Sequence, residues 1–177
     1  GADEGYKHLV DSSLDWGTNL PGLRRWLDRH DPQRREPLFL AYFGTDSPTY
    51  HGIACQRLPG FFDRRRIEPY GLTPGYYAIS ASLLQSLYTP AFGAWSKAYE
   101  NRYQIALRNM QALEQAAANP AAHPQLTSAA AKEFLMREFP IFDGLRFGRL
   151  CAWLRHHREP DYAVGHAILI WKLDLAD

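Results

Sequence analysis

The sequence predicts a three-layer, Rossmann-like α/β fold whose mostly parallel sheet has about four strands. Three observations favour this fold class. Short apolar runs alternate with segments of helical spacing, which is typical of a sheet covered by helices on both faces. The length of 177 residues fits one domain. An apolar fraction of 46% is enough for a hydrophobic core. We therefore expect residues 1–177 to form a single domain, with a helical insertion at about 89–146.

A strand and a helix are predicted first. Tyr6–Asp11 has the pattern of a short strand that ends in polar residues. Asn19 or Thr18 can cap the helix that follows, and Pro21 fits its first turn. That helix ends at His30-Asp31-Pro32, because proline disfavours a helical residue before it. Its apolar face repeats at helical spacing and consists of Leu20, Leu23, Trp26 and Leu27.

Two more strands are predicted before the chain becomes mostly helical. Pro37–Phe43 is nearly continuously apolar, which is typical of a strand covered on both faces. Residues 49–74 have the composition of a loop. Gly75–Ser80 is predicted as the next strand, and Ser80 or Ser82 can cap a short helix after it.

The second half predicts three helices and a last strand. Trp95–Ala118 is expected to form a long helix that ends at Asn119-Pro120. Thr127 or Ser128 would start a second helix that runs through Phe139, after a linker at 121–125. Asp143 would cap a third helix, whose apolar face is Phe147, Leu150, Cys151 and Leu154. Residues 162–173 are predicted as a single final strand.

Polar side chains follow the ends of the predicted strands. Ligands of parallel α/β sheets bind beyond the carboxyl ends of the strands, so these side chains are expected to share one rim. Carboxylates accept hydrogen bonds from sugar hydroxyls, and Trp or Tyr rings stack on the apolar faces of sugar rings. We therefore expect a polar ligand such as a sugar to bind there. The candidate binding residues are Asp11, Ser12, Asp15, Trp16, Thr45, Asp46, Tyr50, His51 and Gln85.

Each of these candidates also has a structural interpretation. Asp11 and Asp15 lie near a helix start, where carboxylates cap the backbone. Trp16 could be an anchor in the core, and Asp46 sits in a sequence that first of all predicts a turn. Both interpretations stay open at the level of sequence.

No sequence motif of a known catalytic or metal site is present. Asp11, Asp15 and Asp46 could in principle hold Mg²⁺ or Mn²⁺. A free-standing metal-dependent hydrolase or nucleotide-sugar-processing enzyme that uses these aspartates is therefore the alternative function. Otherwise we expect no catalytic residue, no metal and no cofactor in this chain.

The charge pattern excludes one class of partner and suggests another. A formal net charge of +1 gives no general field that would attract nucleic acid. The strongest basic cluster is Arg64, Arg65 and Arg66, with Arg57 nearby. It is either a solvated loop or a site for an anion, such as a phosphate or a lipid headgroup at a membrane face.

Three blocks of the sequence resemble a known family. Leu9–Leu20 is similar to a motif that reads L-x-D-S-N-x-D-W-G-Q-D-L, and Leu40–Ile53 is similar to L-S-Y-F-G-T-A-D-P-x-Y-Y-G-I. Gly75–Gln85 resembles G-x-x-A-I-S-x-x-x-L-Q, and Leu150–Leu173 keeps the order of a W-L-R helix, an E-P turn and an apolar strand. The family is that of bacterial polytopic membrane glycosyltransferases similar to glycosyltransferase family 39. These are protein O-mannosyltransferase-like enzymes that depend on polyprenyl-phosphate sugars.

Three features depart from the family pattern. Ser13 stands where the motif has Asn, and Thr18-Asn19 stands where it has Gln-Asp. The helical stretch at about 89–146 has no counterpart in the motifs.

The resemblance implies that this chain is not catalytic by itself, because the catalytic acidic residues of such enzymes lie between early membrane spans. It implies an accessory domain on the extracytoplasmic (periplasmic) face of the bacterial inner membrane, as part of an integral membrane protein. Its expected partners are the membrane-embedded part of the same chain and a glycan, an acceptor or a lipid-linked sugar. Gly1-Ala2 then fits the cut end of a longer chain.

Two questions stay open in the sequence. The helical insertion could instead serve as a protein-interaction module. An oxidising compartment would allow Cys55 and Cys151 to pair, if they were close in space.

Overall fold

The computed structural model of the protein describes residues 18–59, 73–87, 89, 91–119, 121 and 129–174, and for residues 130–132 it describes the backbone alone. The strand predicted at Tyr6–Asp11 lies outside these residues. So do the binding candidates Asp11, Ser12, Asp15 and Trp16, and the basic residues Arg64, Arg65 and Arg66.

A five-stranded open sheet forms the centre of the described chain. Its strands are β1 (Leu38–Ala41), β2 (Gln56–Arg57), β3 (Gly75–Ser80), β4 (Tyr162–Val164) and β5 (Ile168–Leu173). Their order across the sheet is β2-β1-β3-β5-β4. β1 runs parallel to β2 and β3, whereas β5 runs antiparallel to β3 and β4. The sheet is therefore mixed, and the prediction of a mostly parallel sheet of about four strands is wrong.

A tight turn explains the antiparallel half of the sheet. The segment predicted as one strand, 162–173, is a hairpin of β4 and β5. Gly165 and His166 both adopt a positive φ, of 57° and 55°, and the Ala167 amide donates to the Val164 carbonyl at 3.1 Å. Two consecutive positive φ angles are typical of the type I′ turn, whose twist matches that of a hairpin. The chain therefore reverses at this point instead of continuing as one strand.

Helices pack on both faces of this sheet. Helix α1 (Leu20–His30) has the predicted apolar face, with Leu23 fully buried. It packs on Leu38 and Leu40 of β1, while Phe39 and Ala41 point to the other face. That second face is covered by a short helix, α2 (Ala81–Leu84), and by the carboxyl-terminal part of a long helix, α4 (Ala129–His157).

A further helix packs on α4 away from the sheet. Helix α3 (Lys97–Ala118) begins at Ser96, whose Oγ accepts the Tyr99 amide at 3.3 Å, and ends at Asn119. The prediction of a long helix that ends at Asn119 is confirmed. The buried residues between α3 and α4 form a cluster of their own, which we call the α3–α4 cluster: Ala91, Ala106, Met110, Phe139, Phe142 and Leu145.

Helix α4 is continuous where the sequence predicts two helices. Pro140 lies inside it and removes one backbone donor, which would favour a break. The helix continues because Phe139 and Phe142, which flank the proline, both pack in the α3–α4 cluster, and Phe147 further along packs on the sheet. Asp143 is therefore no helix cap. It is buried inside the helix and pairs with the Arg146 guanidinium at 2.8 Å.

The two cysteines lie on opposite faces of the sheet and form no disulfide with each other. Cys55 packs against the cluster under α1, and Cys151 is buried in the cluster under α4. A bond between them would require the sheet to open. Within the part of the chain that the structure describes, no helix combines the length and the apolar character needed to cross a membrane.

Candidate functional site

The segment Gly44–Gly52, which we call the β1 loop, holds most of the described binding candidates. It begins beyond the carboxyl end of β1 and is built from consecutive turns. The amides of Tyr50, His51 and Gly52 each donate to the carbonyl three residues earlier, at 3.0–3.1 Å. Buried Ile53 follows the loop and packs in the cluster under α1. The loop is therefore a folded turn whose end is anchored in the core, which favours one conformation.

An arginine of α1 holds the far end of this loop. Arg24 Nη1 donates to the Gly52 carbonyl at 2.8 Å and to the His51 carbonyl at 3.3 Å. Its Nε donates to Asp28 at 2.9 Å. Gly52 has a φ of +64°, and a Cβ on it would lie 2.4 Å from Arg24 Nη1. The backbone angle favours glycine, and a larger residue would also require the Arg24 guanidinium to shift.

Three neighbouring side chains form the chemical part of the β1 loop. The Asp46 carboxylate pairs with His51 Nε2 at 2.5 Å, and its other oxygen accepts the Ser47 amide at 2.7 Å. The Tyr50 ring contacts the His51 ring edge to face, with 5.3 Å between centroids. Tyr50 is 84% exposed, and Thr45, which precedes Asp46 in the sequence, is also exposed. A carboxylate, an imidazole and an accessible aromatic ring thus lie side by side.

The electrostatics of Asp46 favour its charged form. The hydrogen bond from His51, and then that from the Ser47 amide, lower the pKa of the Asp46 carboxyl below its ordinary value of 3.8. The carboxylate therefore stays ionised and can accept hydrogen bonds from hydroxyl groups over the whole physiological range.

Gln85 is placed away from the β1 loop. The chain ends of β1 and β3, from which the two parts of the predicted rim start, are joined by a hydrogen bond. Ser80 Oγ at the end of β3 accepts the Phe43 amide at 3.0 Å. The β1 loop contacts α1, on one face of the sheet. Gln85 follows α2 and lines a cavity beside α4, on the other face. The structure therefore brings Asp46, Tyr50 and His51 together, and places Gln85 in a different environment.

The cavity that Gln85 lines has a volume of about 470 Å³. Its walls come from the end of α2, from Gly93-Ala94, from the end of α4 and from Trp171 of β5. A second cavity, of about 320 Å³, lies at the opposite end of β3. The residues that line it include Tyr77, Tyr103, Arg146, Arg149 and Asp174.

Both guanidiniums of the second cavity are paired with carboxylates. Arg149 Nε donates to Glu100 at 3.0 Å, and Arg146 pairs with buried Asp143. Hydrogen bonds from Gln104 and from Arg149 and Trp95 lower the pKa of Glu100, although burial opposes them. The Arg149–Glu100 pair joins α4 to α3, whereas the Arg146–Asp143 pair lies within α4, so both arginines have structural partners.

The described residues contain no group of three or more metal-ligating side chains. Of the three aspartates considered for a metal, Asp11 and Asp15 lie outside those residues, and Asp46 is engaged with His51. Arg57 is half-buried in β2, while its basic neighbours Arg64, Arg65 and Arg66 also lie outside the described residues.

Comparisons of the chain with protein-family models, with curated proteins and with solved structures found no match.

Sequence reasoning missed two arginines that the structure places at these sites. Arg24 and Arg155 lie on helices, 27 residues before His51 and 71 residues after Leu84, with which they form hydrogen bonds. No local sequence pattern predicts hydrogen bonds between residues so far apart in the chain. The only signal was the run of Arg155, His156 and His157 in the last turn of α4, where cations are favoured in any helix.

Proposed function

We propose that this chain is a non-catalytic, extracytoplasmic accessory domain of a polytopic membrane glycosyltransferase, and that its β1 loop binds a glycan or the glycan acceptor. The observation that carries the proposal is Tyr50, a tyrosine with 84% exposure beside the Asp46–His51 pair. An aromatic ring next to ionised and hydrogen-bonding groups suits a sugar, which has apolar ring faces and hydroxyl donors.

The arrangement of the similar sequence blocks supports the same proposal. The block Leu40–Ile53 ends β1 and forms the β1 loop, and the block Gly75–Gln85 forms β3 and α2. The end of the tail block forms β5. β1, β3 and β5 are adjacent in the sheet, so three blocks that are far apart in sequence form one packed unit. The helices at 89–146, which have no counterpart in the motifs, extend from this unit along α4.

The binding of sugar can be tested on the purified chain. We expect fluorescently labelled protein to bind a subset of an oligosaccharide array, and Tyr50→Ala to weaken that binding about tenfold or more. Asp46→Asn should weaken it less, because an amide still accepts hydrogen bonds. Phe92→Ala is the matched control, because Phe92 is also an exposed aromatic residue (64%) and lies outside the β1 loop. Binding that survives Tyr50→Ala unchanged would contradict the proposed site.

The absence of catalysis in the isolated chain has a separate test. Incubated with a polyprenyl-phosphate sugar and an acceptor peptide, the chain should transfer no sugar. The alternative of a metal-dependent enzyme predicts a rise in melting temperature with Mg²⁺, Mn²⁺ or Ca²⁺ that Asp46→Asn abolishes. That result, or sugar transfer by the chain alone, would refute the accessory role.

The proposal that a membrane-embedded part belongs to the same chain can be tested on the gene sequence. The open reading frame that encodes this chain should contain about ten apolar segments of membrane-span length before Gly1. A reading frame without them would refute the link to a polytopic enzyme.

We also propose that the fold is a variant of a three-layer, Rossmann-like arrangement. Its support is the parallel β2-β1-β3 part of the sheet, together with the helices that pack on both faces. The test is NMR of the whole chain. Tyr6–Asp11 should show strand chemical shifts and cross-strand contacts to a parallel neighbour, and helical or random-coil shifts there would refute the arrangement.

A further inference from the structure

Arg155 is a charged side chain in an unusual position. It is half-buried in the last turn of α4, beside the cavity of about 470 Å³. Its Nη1 donates to the Leu84 carbonyl at 2.5 Å and to Ser86 Oγ at 2.9 Å. Both acceptors are neutral. Burial lowers the pKa of Arg155, which means that its charged form loses hydration in this site.

No carboxylate compensates this charge within the described residues. None of the ion pairs found among them includes Arg155. Buried or half-buried charges in proteins are normally paired, because the loss of hydration must be offset. Arg158, on the same cavity, differs in this respect, since it pairs with Asp161 at 3.5 Å.

The other walls of the cavity add hydrogen-bonding groups. His156 and Arg158 line it together with Arg155, and Glu159 is the one carboxylate among the lining residues. Gln85 and Trp171 also line the cavity. The volume is in the range of small-molecule sites and is far larger than a single ion needs.

We propose that this cavity binds a small polar molecule through an anionic group, a carboxylate or a phosphate, that pairs with the Arg155 guanidinium. A guanidinium already oriented by the Leu84 carbonyl and Ser86 presents its remaining N–H groups without further loss of side-chain freedom. The site is independent of the proposed glycan site, because the cavity lies beside α4 and the β1 loop lies beside α1.

The test is a titration of the purified chain with four probes, followed by NMR of the backbone amides. The probes are inorganic phosphate, glucose 6-phosphate, glucuronate and, as neutral control, glucose. We expect at least one of the three anions to shift the amides of Gln85, Gly93, Ala94 and His156, with binding that weakens as salt is added. Phosphate alone would assign the site to the free ion, whereas the sugar phosphate or the uronate alone would assign it to an anionic sugar. Shifts elsewhere, or equal binding of glucose, would overturn the proposal.

Two substitutions test whether the charge of Arg155 binds the anion. Arg155→Gln should weaken the binding of the anion about tenfold or more, and Arg155→Lys should restore part of it. Arg108→Gln is the control, because Arg108 is an exposed arginine on α3. If Arg155→Gln lowers the melting temperature but leaves the dissociation constant unchanged, Arg155 is a structural clamp on α2 and the proposal fails.

A second pair of variants tests the charge of the cavity without removing the hydrogen bonds of Arg155. Ala94 is exposed on the cavity wall and contributes only a methyl group. Ala94→Glu places a negative charge there and should weaken the binding of an anion about threefold or more, whereas the isosteric Ala94→Gln should not. Equal effects of the two would overturn the proposal. Tyr50→Ala should leave this binding unchanged, so that failure here is distinguishable from failure of the proposed glycan site.

Discussion

At the scale of single residues, Asp31 organises the passage from α1 to β1. The residue is only 7% exposed, and its two carboxylate oxygens accept the amides of Arg35 at 3.0 Å and Glu36 at 3.1 Å. It thereby turns the chain after the helix ends. Burial alone would raise the pKa of Asp31, but the two amide hydrogen bonds, together with the charges of Arg34 and Arg35, outweigh it and lower the pKa below 3.8.

Asp31→Asn should therefore destabilise the fold in a pH-dependent way. At pH 7 we expect the free energy of unfolding to fall by about 1–3 kcal/mol, because an amide offers one acceptor oxygen in place of a charged pair. The carboxylate contributes its full stabilisation above the unfolded pKa of 3.8, and loses it as pH falls through the lower folded pKa. Urea unfolding between pH 7 and pH 2 should show that the free energies of unfolding of the wild type and of Asp31→Asn become equal at the acidic end.

The control for this experiment is Asp28→Asn. The side chain of Asp28 is half exposed and pairs with Arg24 and Arg34 at the surface, where solvent screens the charges. Its substitution should change stability little. A wild-type advantage over Asp31→Asn that stays constant down to pH 2 would contradict the assigned role of the Asp31 charge.

The two cysteines should differ sharply in reactivity. Cys151 is fully buried, and burial raises the pKa of its thiol to about 12, so almost no thiolate forms near neutral pH. Cys55 is half-buried at the edge of its cluster. With a thiol reagent at pH 8, one thiol per chain should react at once and the second only after denaturation. Cys55→Ser should then abolish the fast phase; if that phase persists, the placement of Cys151 is wrong.

At the scale of elements, α4 depends on packing to cross Pro140. A proline inside a helix lacks a backbone donor and clashes with the preceding turn, at a cost of about 3 kcal/mol in a helix interior. Pro140 is exposed, so its ring adds little buried area in return. The apolar contacts of Phe139 and Phe142 with α3 hold the helix together at this point.

Pro140→Ala should therefore stabilise the protein. We expect a gain of about 1–3 kcal/mol, because alanine restores the donor and has the best helix propensity. Thermal unfolding followed by circular dichroism measures it. Glu133→Ala is the control, since Glu133 is also exposed on α4 but interrupts no hydrogen bond. A lower melting temperature for Pro140→Ala would mean that the proline is needed to place the two parts of α4.

At the scale of the whole molecule, the described core is divided into three clusters. Two lie on the faces of the sheet, and the α3–α4 cluster lies beyond α4. Among the described elements, α3 makes its main contacts with α4 and not with the strands. We therefore expect α3 to open without unfolding of the sheet.

Phe139→Ala tests this division. Removing a buried phenylalanine costs about 3–5 kcal/mol, and this loss should fall on the α3–α4 cluster. By hydrogen exchange, the amides of α3 should lose protection while those of β3 and β5 keep most of theirs. Leu154→Ala, in the cluster on the sheet, should instead lower protection throughout. Equal loss in α3 and β3 after Phe139→Ala would show that the molecule opens as one unit.

The candidate site was predictable in part. Asp46, Tyr50 and His51 lie within six residues of one another, so the turn that the local sequence predicts is enough to bring them together. The sequence places Gln85 on the same rim because it predicts parallel strands, and β1 and β3 are indeed parallel. After β3, however, the chain continues on the face of the sheet that α4 covers, and the local sequence does not specify this face.

Local sequence was enough to place α1, α3, β1 and β3, because the helical spacing of apolar side chains and short continuous apolar runs are local signals. The tertiary fold set the direction of β5, the continuity of α4 through Pro140 and the partners of Arg24 and Arg155. Each of these depends on groups distant in sequence, whose packing and hydrogen bonds outweigh a local preference of about 1–3 kcal/mol once the core has formed.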